Sequence, residues 1–138
     1  MIMKKDTNSS LLQSLSTAIL SCDCKNSFEE EGGFILHKAD SDEYKFVKIT
    51  NRNTGSPVAK ALYTAEKQEY GDKVLVEVLK HGWTEFASFH THPPGFGPFP
   101  SEIDLQQLFT GFPINYIYSP DMNLLMQYTL NKETKQCN

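Results

Sequence analysis

The stretch Phe89-His90-Thr91-His92-Pro93 decides how the rest of the chain is read. Trp83 to Phe89 reads as a strand, with Phe86 and Phe89 its apolar positions. His90 and His92 prolong it two residues apart. Strand side chains alternate with period two, so both imidazoles point to one face. Two imidazoles converging at a strand end supply half of a tetrahedral metal site. A stiff connector follows. Pro93 to Pro100 holds four of the seven prolines and two glycines, so it is neither helix nor central strand. Ser101-Glu102-Ile103-Asp104 then opens a helix, with Ser101 at the N-cap and Asp104 at the third position. Leu105, Leu108 and Phe109 share one face of it, and Gly111 ends it. Asp104 is thus a candidate third ligand. A fourth position is left for water, the arrangement of a catalytic zinc rather than a closed structural one.

Taken singly, each part has a simpler explanation. A His-x-His pair is commonly a packing or surface feature, and Ser101 with Asp104 is a complete capping arrangement. Glu29 to Glu31 alone is a solvated acidic run. The order of strand end, rigid loop and helix start is what points to a metal. His37, after the first strand, and His81, at a helix end, are assigned to ordinary roles. The field at a helix C-terminus accounts for His81.

Upstream, residues 1–9 read as a flexible polar start. Leu11, Leu15, Ala18, Ile19 and Cys22 recur at helical spacing, predicting an amphipathic helix from about Ser10 to Ser21. The polar residues between them break any signal-peptide core. Phe34-Ile35-Leu36 fits a buried strand, and Tyr44 to Ile49 forms a hairpin with it. Asn51 to Pro57 is a loop, and Glu66 to His81 is helical, with Val74, Leu75, Val78 and Leu79 as its apolar pairs and Gly82 as its stop. Ile114 to Tyr118 and Leu124 to Leu130 are strands joined by a turn at Ser119 to Asn123, and 131–138 is a polar tail. This order predicts an α/β (α+β) fold, a central mixed sheet flanked by helices, in a single domain over 10–130.

The 138 residues carry 13 Lys+Arg against 17 Asp+Glu, a net charge of −4. No basic cluster exists to bind phosphates, so nucleic acid is not the expected partner. No run of apolar residues reaches membrane-spanning length, so no membrane partner is expected. Three cysteines at irregular spacing argue for reduced thiols and a cytoplasmic location, with secretion as a toxin or effector the alternative.

His90-x-His92-Pro93 followed by Ser101-x-x-Asp104 resembles the metal-binding motif of the JAB/MPN (JAMM) metalloproteases. That family carries an upstream Glu followed three residues later by Gly, before a hydrophobic strand. Glu30-Glu31-Gly32-Gly33-Phe34-Ile35-Leu36 matches this with Glu30 in the catalytic place. Glu29 and Glu31 compete for that role, and strand alternation and the Gly33 offset favour Glu30. The sequence is especially similar to small bacterial JAB-like domains of the DUF4329 type. The spacer between His92 and Ser101 is eight residues, one longer than the family's usual. The resemblance implies a cytidine-deaminase-like architecture and Zn²⁺ held by His90, His92 and Asp104. It implies Glu30 as general base and acid, and Ser101 as donor to the oxyanion. The activity implied is hydrolysis of a peptide or isopeptide amide, with a protein or ubiquitin-like conjugate as substrate. A catalytically silent interaction module and a toxin-associated domain are the alternatives. A zinc deaminase would need Cys-x-x-Cys, and a zincin would need His-Glu-x-x-His; neither is present.

Overall fold

Leu11, Leu15 and Ala18 form the buried face of α1 (Ser9–Leu20). In the computed structural model, which describes residues 9–22, 30–52, 63–93, 95, 97, 112, 114–129 and 134–137, this face covers one side of a six-stranded sheet. Ser10 fastens the start of α1 to the sheet. Its hydroxyl accepts from the Tyr44 amide at 2.9 Å and donates to the Tyr44 carbonyl at 3.2 Å.

The strands are β1 (Gly32–Lys38), β2 (Tyr44–Ile49), β3 (Trp83–Thr91), β4 (Ile114–Ser119), β5 (Leu124–Thr129) and β6 (Thr134–Cys137). They lie in the order β2-β1-β3-β4-β5-β6. Only β3 and β4 pair parallel; the other neighbours are antiparallel. A parallel pair needs a long crossover, so the segment after β3 must leave its carboxyl end and return. β1 is covered on both faces, which is why Phe34-Ile35-Leu36 is continuously apolar rather than alternating. Ile35 packs on the α1 side, and Phe34 and Leu36 pack on the other.

The second face is covered by the helical segment 67–80, built as α2 (Lys67–Tyr70), a π-helical turn (Gly71–Leu75) and α3 (Val76–Lys80). The sequence predicts four apolar positions facing inward here. Val74 is fully buried and Val78 packs against the core, but Leu75 is 38% exposed and Leu79 79% exposed. The π turn adds a residue to the winding and carries the second pair off the sheet. The segment stops where expected: Gly82 has φ of +76°, a conformation that disfavours a side chain.

Two strand features depart from the sequence reading, the register of Phe86 and the presence of β6. Phe86 and Phe89, three apart, would face opposite sides of a regular strand. A register shift between Ile35 and Leu36 lets both join the α1-side core. β3 runs on to Thr91 and carries His90 within it, as the sequence predicts. The segment read as a polar tail supplies β6, because an edge strand is held by main-chain bonds and needs no apolar run. The predicted helix from Ser101 to Gly111 lies outside the described residues.

Gly32 and Gly33 mark a close approach at the start of β1. A Cβ on Gly32 would run into the Phe89 carbonyl oxygen and sit 3.0 Å from both the His90 Cβ and the Tyr63 ring. One on Gly33 would meet the Val47 carbonyl oxygen. Gly32→Ala should therefore cost about 2–3 kcal/mol of overpacking and lower the melting temperature by roughly 5–10 °C. Gly71→Ala is the control, since nothing lies within 4 Å of its Cβ, and it should be neutral or slightly stabilising. A thermal melt unaffected by Gly32→Ala would contradict the packing argument.

Candidate metal centre

His90 and His92 lie at the carboxyl end of β3, beside its parallel neighbour. The His92 amide donates to the Tyr118 carbonyl at 3.0 Å, so strand-like pairing persists past Thr91. Both rings consequently project from one face, their centroids 5.3 Å apart. The stiff loop contributes at once. His92 Nδ1 lies 2.7 Å from the Gly97 carbonyl oxygen. A carbonyl only accepts, so Nδ1 donates in this bond, and Nε2 is the ring nitrogen that would ligate a metal.

Glu30 arrives from the adjacent chain. Thr91 and Glu31 share three hydrogen bonds: the Thr91 amide to the Glu31 carbonyl at 2.8 Å, the Glu31 amide to Thr91 Oγ1 at 3.1 Å, and Thr91 Oγ1 to the Glu31 carbonyl at 3.4 Å. This fixes which way successive side chains face. Glu31 turns to Lys48, 2.9 Å away, and Glu30 turns to the histidines. Glu30 is 5% exposed, with Oε1 at 4.0 Å from His90 Nε2. Glu29 is outside the described residues, so of the three acidic candidates Glu30 is the one seen beside the imidazoles.

One ligand atom from each of Glu30, His90 and His92 lies within 4.8 Å of the other two, and all three residues are buried. The two imidazoles are donors suited to Zn²⁺, and the Glu30 carboxylate lies beside them where a metal-bound water would be. Burying a carboxylate against imidazoles at this spacing is costly unless something compensates the charge, so the residues present fit a divalent ion. Ser101 and Asp104 lie outside the described residues.

Two residues that the sequence reading passed over hold Glu30 in place. Asn51 Nδ2 donates to the Glu30 carbonyl at 2.9 Å, and Asn51 Oδ1 accepts from the Thr64 amide at 3.1 Å. That clamp brings the preceding residue, Tyr63, into position. Its amide donates to Glu30 Oε1 at 3.0 Å, and its ring stacks within 6° of parallel on His90. Burial, with a smaller push from Glu69, raises the Tyr63 phenol well above its ordinary value. It stays protonated and donates to the Ile49 carbonyl at 2.9 Å. No local pattern flags Asn51 or Tyr63, because their bonds to Glu30 span 21 and 33 residues.

The remaining histidines stay apart from the centre. His37 Nε2 pairs with the Ser41 carbonyl at 2.7 Å in the hairpin turn. His81 caps α3, with Nε2 3.9 Å from Glu77.

The architecture is thus a mixed sheet between helices, with a buried carboxylate facing two histidines at the end of a parallel strand. It is the fold of JAB/MPN domains: a JAB1/MPN domain protein from Archaeoglobus fulgidus superposes with a TM-score of 0.51. The two share 19% identity over 94% of this chain and 93% of that one. The profile of the family described as prokaryotic homologs of the JAB domain matches residues 12–131, and the chain belongs to that family. No curated protein is matched.

Proposed function

We propose that the chain is a zinc-dependent hydrolase of the JAMM type that cleaves a peptide or isopeptide amide bond. The observation that supports this best is the convergence of buried Glu30, His90 and His92. His90, His92 and Asp104 would hold the ion. A bound Zn²⁺ would polarise the scissile carbonyl and bring the pKa of a water toward neutrality. Glu30 takes a proton from the attacking water and returns it to the leaving amine. Its orientation for that work comes from the Tyr63 amide. Ser101 donates to the developing oxyanion.

The substrate is a protein or peptide, a ubiquitin-like conjugate among the candidates, in the cytoplasm of a bacterium. Within the family, our reading places the chain with small bacterial domains of the DUF4329 type. Among the described residues, no helix is long and apolar enough to cross a membrane. The test combines metal analysis with mass spectrometry of candidate conjugates incubated with the zinc-loaded chain. About one zinc per chain and discrete cleavage products are expected. A chain that takes up no zinc would leave the interaction-module reading in its place.

A further inference from the structure

A glutamate side chain is long and loses much rotamer freedom when it is held still. A general base nevertheless works only when its carboxylate is held against the water it deprotonates. The Tyr63 amide, which donates to Glu30 Oε1 at 3.0 Å, supplies such a hold. A main-chain donor is only as well placed as the chain that carries it. What places this chain is a change of partner at the end of β2.

The antiparallel register of β1 and β2 sets Gly32 opposite Ile49. Carried two residues further along each chain, it sets Glu30 opposite Asn51. Here the main chain of β2 turns to a different neighbour. Asn51 bridges to Ala65, the Arg52 amide donates to the Thr64 carbonyl at 2.7 Å, and the Glu66 amide donates to the Thr50 carbonyl at 2.9 Å. The end of β2 thus lies between two chains, one carrying Glu30 and the other Tyr63. The Asn51 side chain, itself 5% exposed, ties them together. Its Nδ2 donates to the Glu30 carbonyl and its Oδ1 accepts from the Thr64 amide. Thr64 is therefore gripped at both its amide and its carbonyl, which aims the preceding amide, that of Tyr63, at the carboxylate. The bond to the Glu30 carbonyl is buried, so water does not replace it when it is lost. The Tyr63 phenol is anchored separately, to the Ile49 carbonyl.

We propose that Asn51 is a positioning residue for the hydrolysis. It keeps the chains of Glu30 and Tyr63 at one spacing, so that the Tyr63 amide fixes the Glu30 carboxylate beside the histidines. It acts through Glu30 and not on the substrate or the ion. The proposal rests on the hydrolase reading, and the experiment separates the two.

kcat, KM and zinc content are measured for the zinc-loaded full chain, Asn51→Ala, Glu30→Gln and the double variant, on a peptide that the unaltered chain cleaves. Asn51→Ala should lower kcat by about 10–100-fold, the usual effect of removing a group that orients a reacting one. KM should stay within about twofold, and zinc content should match the unaltered chain. Because Asn51 acts through Glu30, the same substitution made in Glu30→Gln should cost less than about twofold. A merely structural role would lower kcat by one factor in both backgrounds. Equal losses in the two backgrounds, an unchanged kcat in Asn51→Ala, or loss of zinc from that variant would overturn the proposal. Asn51→Ser, whose hydroxyl is one bond shorter and no longer spans the two chains, takes the place of Asn51→Ala if that variant does not fold. If the unaltered zinc-loaded chain cleaves no peptide, the hydrolase reading fails, and the placement of Glu30 by Asn51 is judged by hydrogen exchange. The Tyr63 amide should then exchange about tenfold or more faster in the Asn51 variant, with the amides of β4 unchanged. A Tyr63 amide equally protected in both chains would overturn it.

Discussion

Glu30→Gln is expected to lower amide hydrolysis by about 10²–10⁴-fold, the usual worth of a positioned general base, with zinc content and melting temperature little changed. Glutamine keeps the shape of glutamate and an oxygen that can accept from the Tyr63 amide, which donates to Oε1 at 3.0 Å. It cannot take a proton from water. The substitution therefore removes the proton transfer and spares the scaffold. Rates on a cleaved peptide, zinc by atomic absorption and a thermal melt are measured on the same preparation. The loss should fall on kcat, because the interaction is made in the transition state. Full activity in the variant would remove Glu30 from the mechanism.

The second large effect is expected from the histidines. His92→Ala or His90→Ala should abolish stoichiometric zinc binding, because each removes one of the imidazoles at the centre. The consequence is also readable without any substrate. An ion that binds only the folded chain stabilises it by about 2.7 kcal/mol at a hundredfold excess over Kd. Added zinc should raise the melting temperature of the unaltered chain and leave that of either variant where it was. His37→Ala is the control. That ring pairs with the Ser41 carbonyl in the hairpin turn and stacks on Tyr44, so its loss should leave the zinc-induced shift intact. A His92→Ala chain that still gains stability from zinc would show that the ion binds elsewhere.

How much of this was readable in advance differs from element to element. α1 and the β1–β2 hairpin follow from local periodicity, since each buries a stripe that its own sequence defines. The helical segment 67–80 was readable as a helix, yet its inward face was not. A π turn leaves no mark in the spacing of apolar residues, and only packing against the sheet separates Val74 and Val78 from Leu75 and Leu79. The placement of Phe86 beside Ala87 and Phe89 likewise needed the partner strand, because the register shift is a property of the β1–β3 pair.

The sequence by itself determined the ingredients of the centre. Strand alternation puts His90 and His92 on one face, and the same alternation with the Gly33 offset favours Glu30 among the three acidic residues. Both follow from steric rules acting over a few residues. Tertiary structure fixed that choice, because the hydrogen bonds between Glu31 and Thr91 turn Glu31 to Lys48 and Glu30 to the histidines. It alone recruited Asn51 and Tyr63. Those features join residues tens of positions apart through directional bonds and shared volume. Neither quantity is encoded in the order of neighbours along the chain.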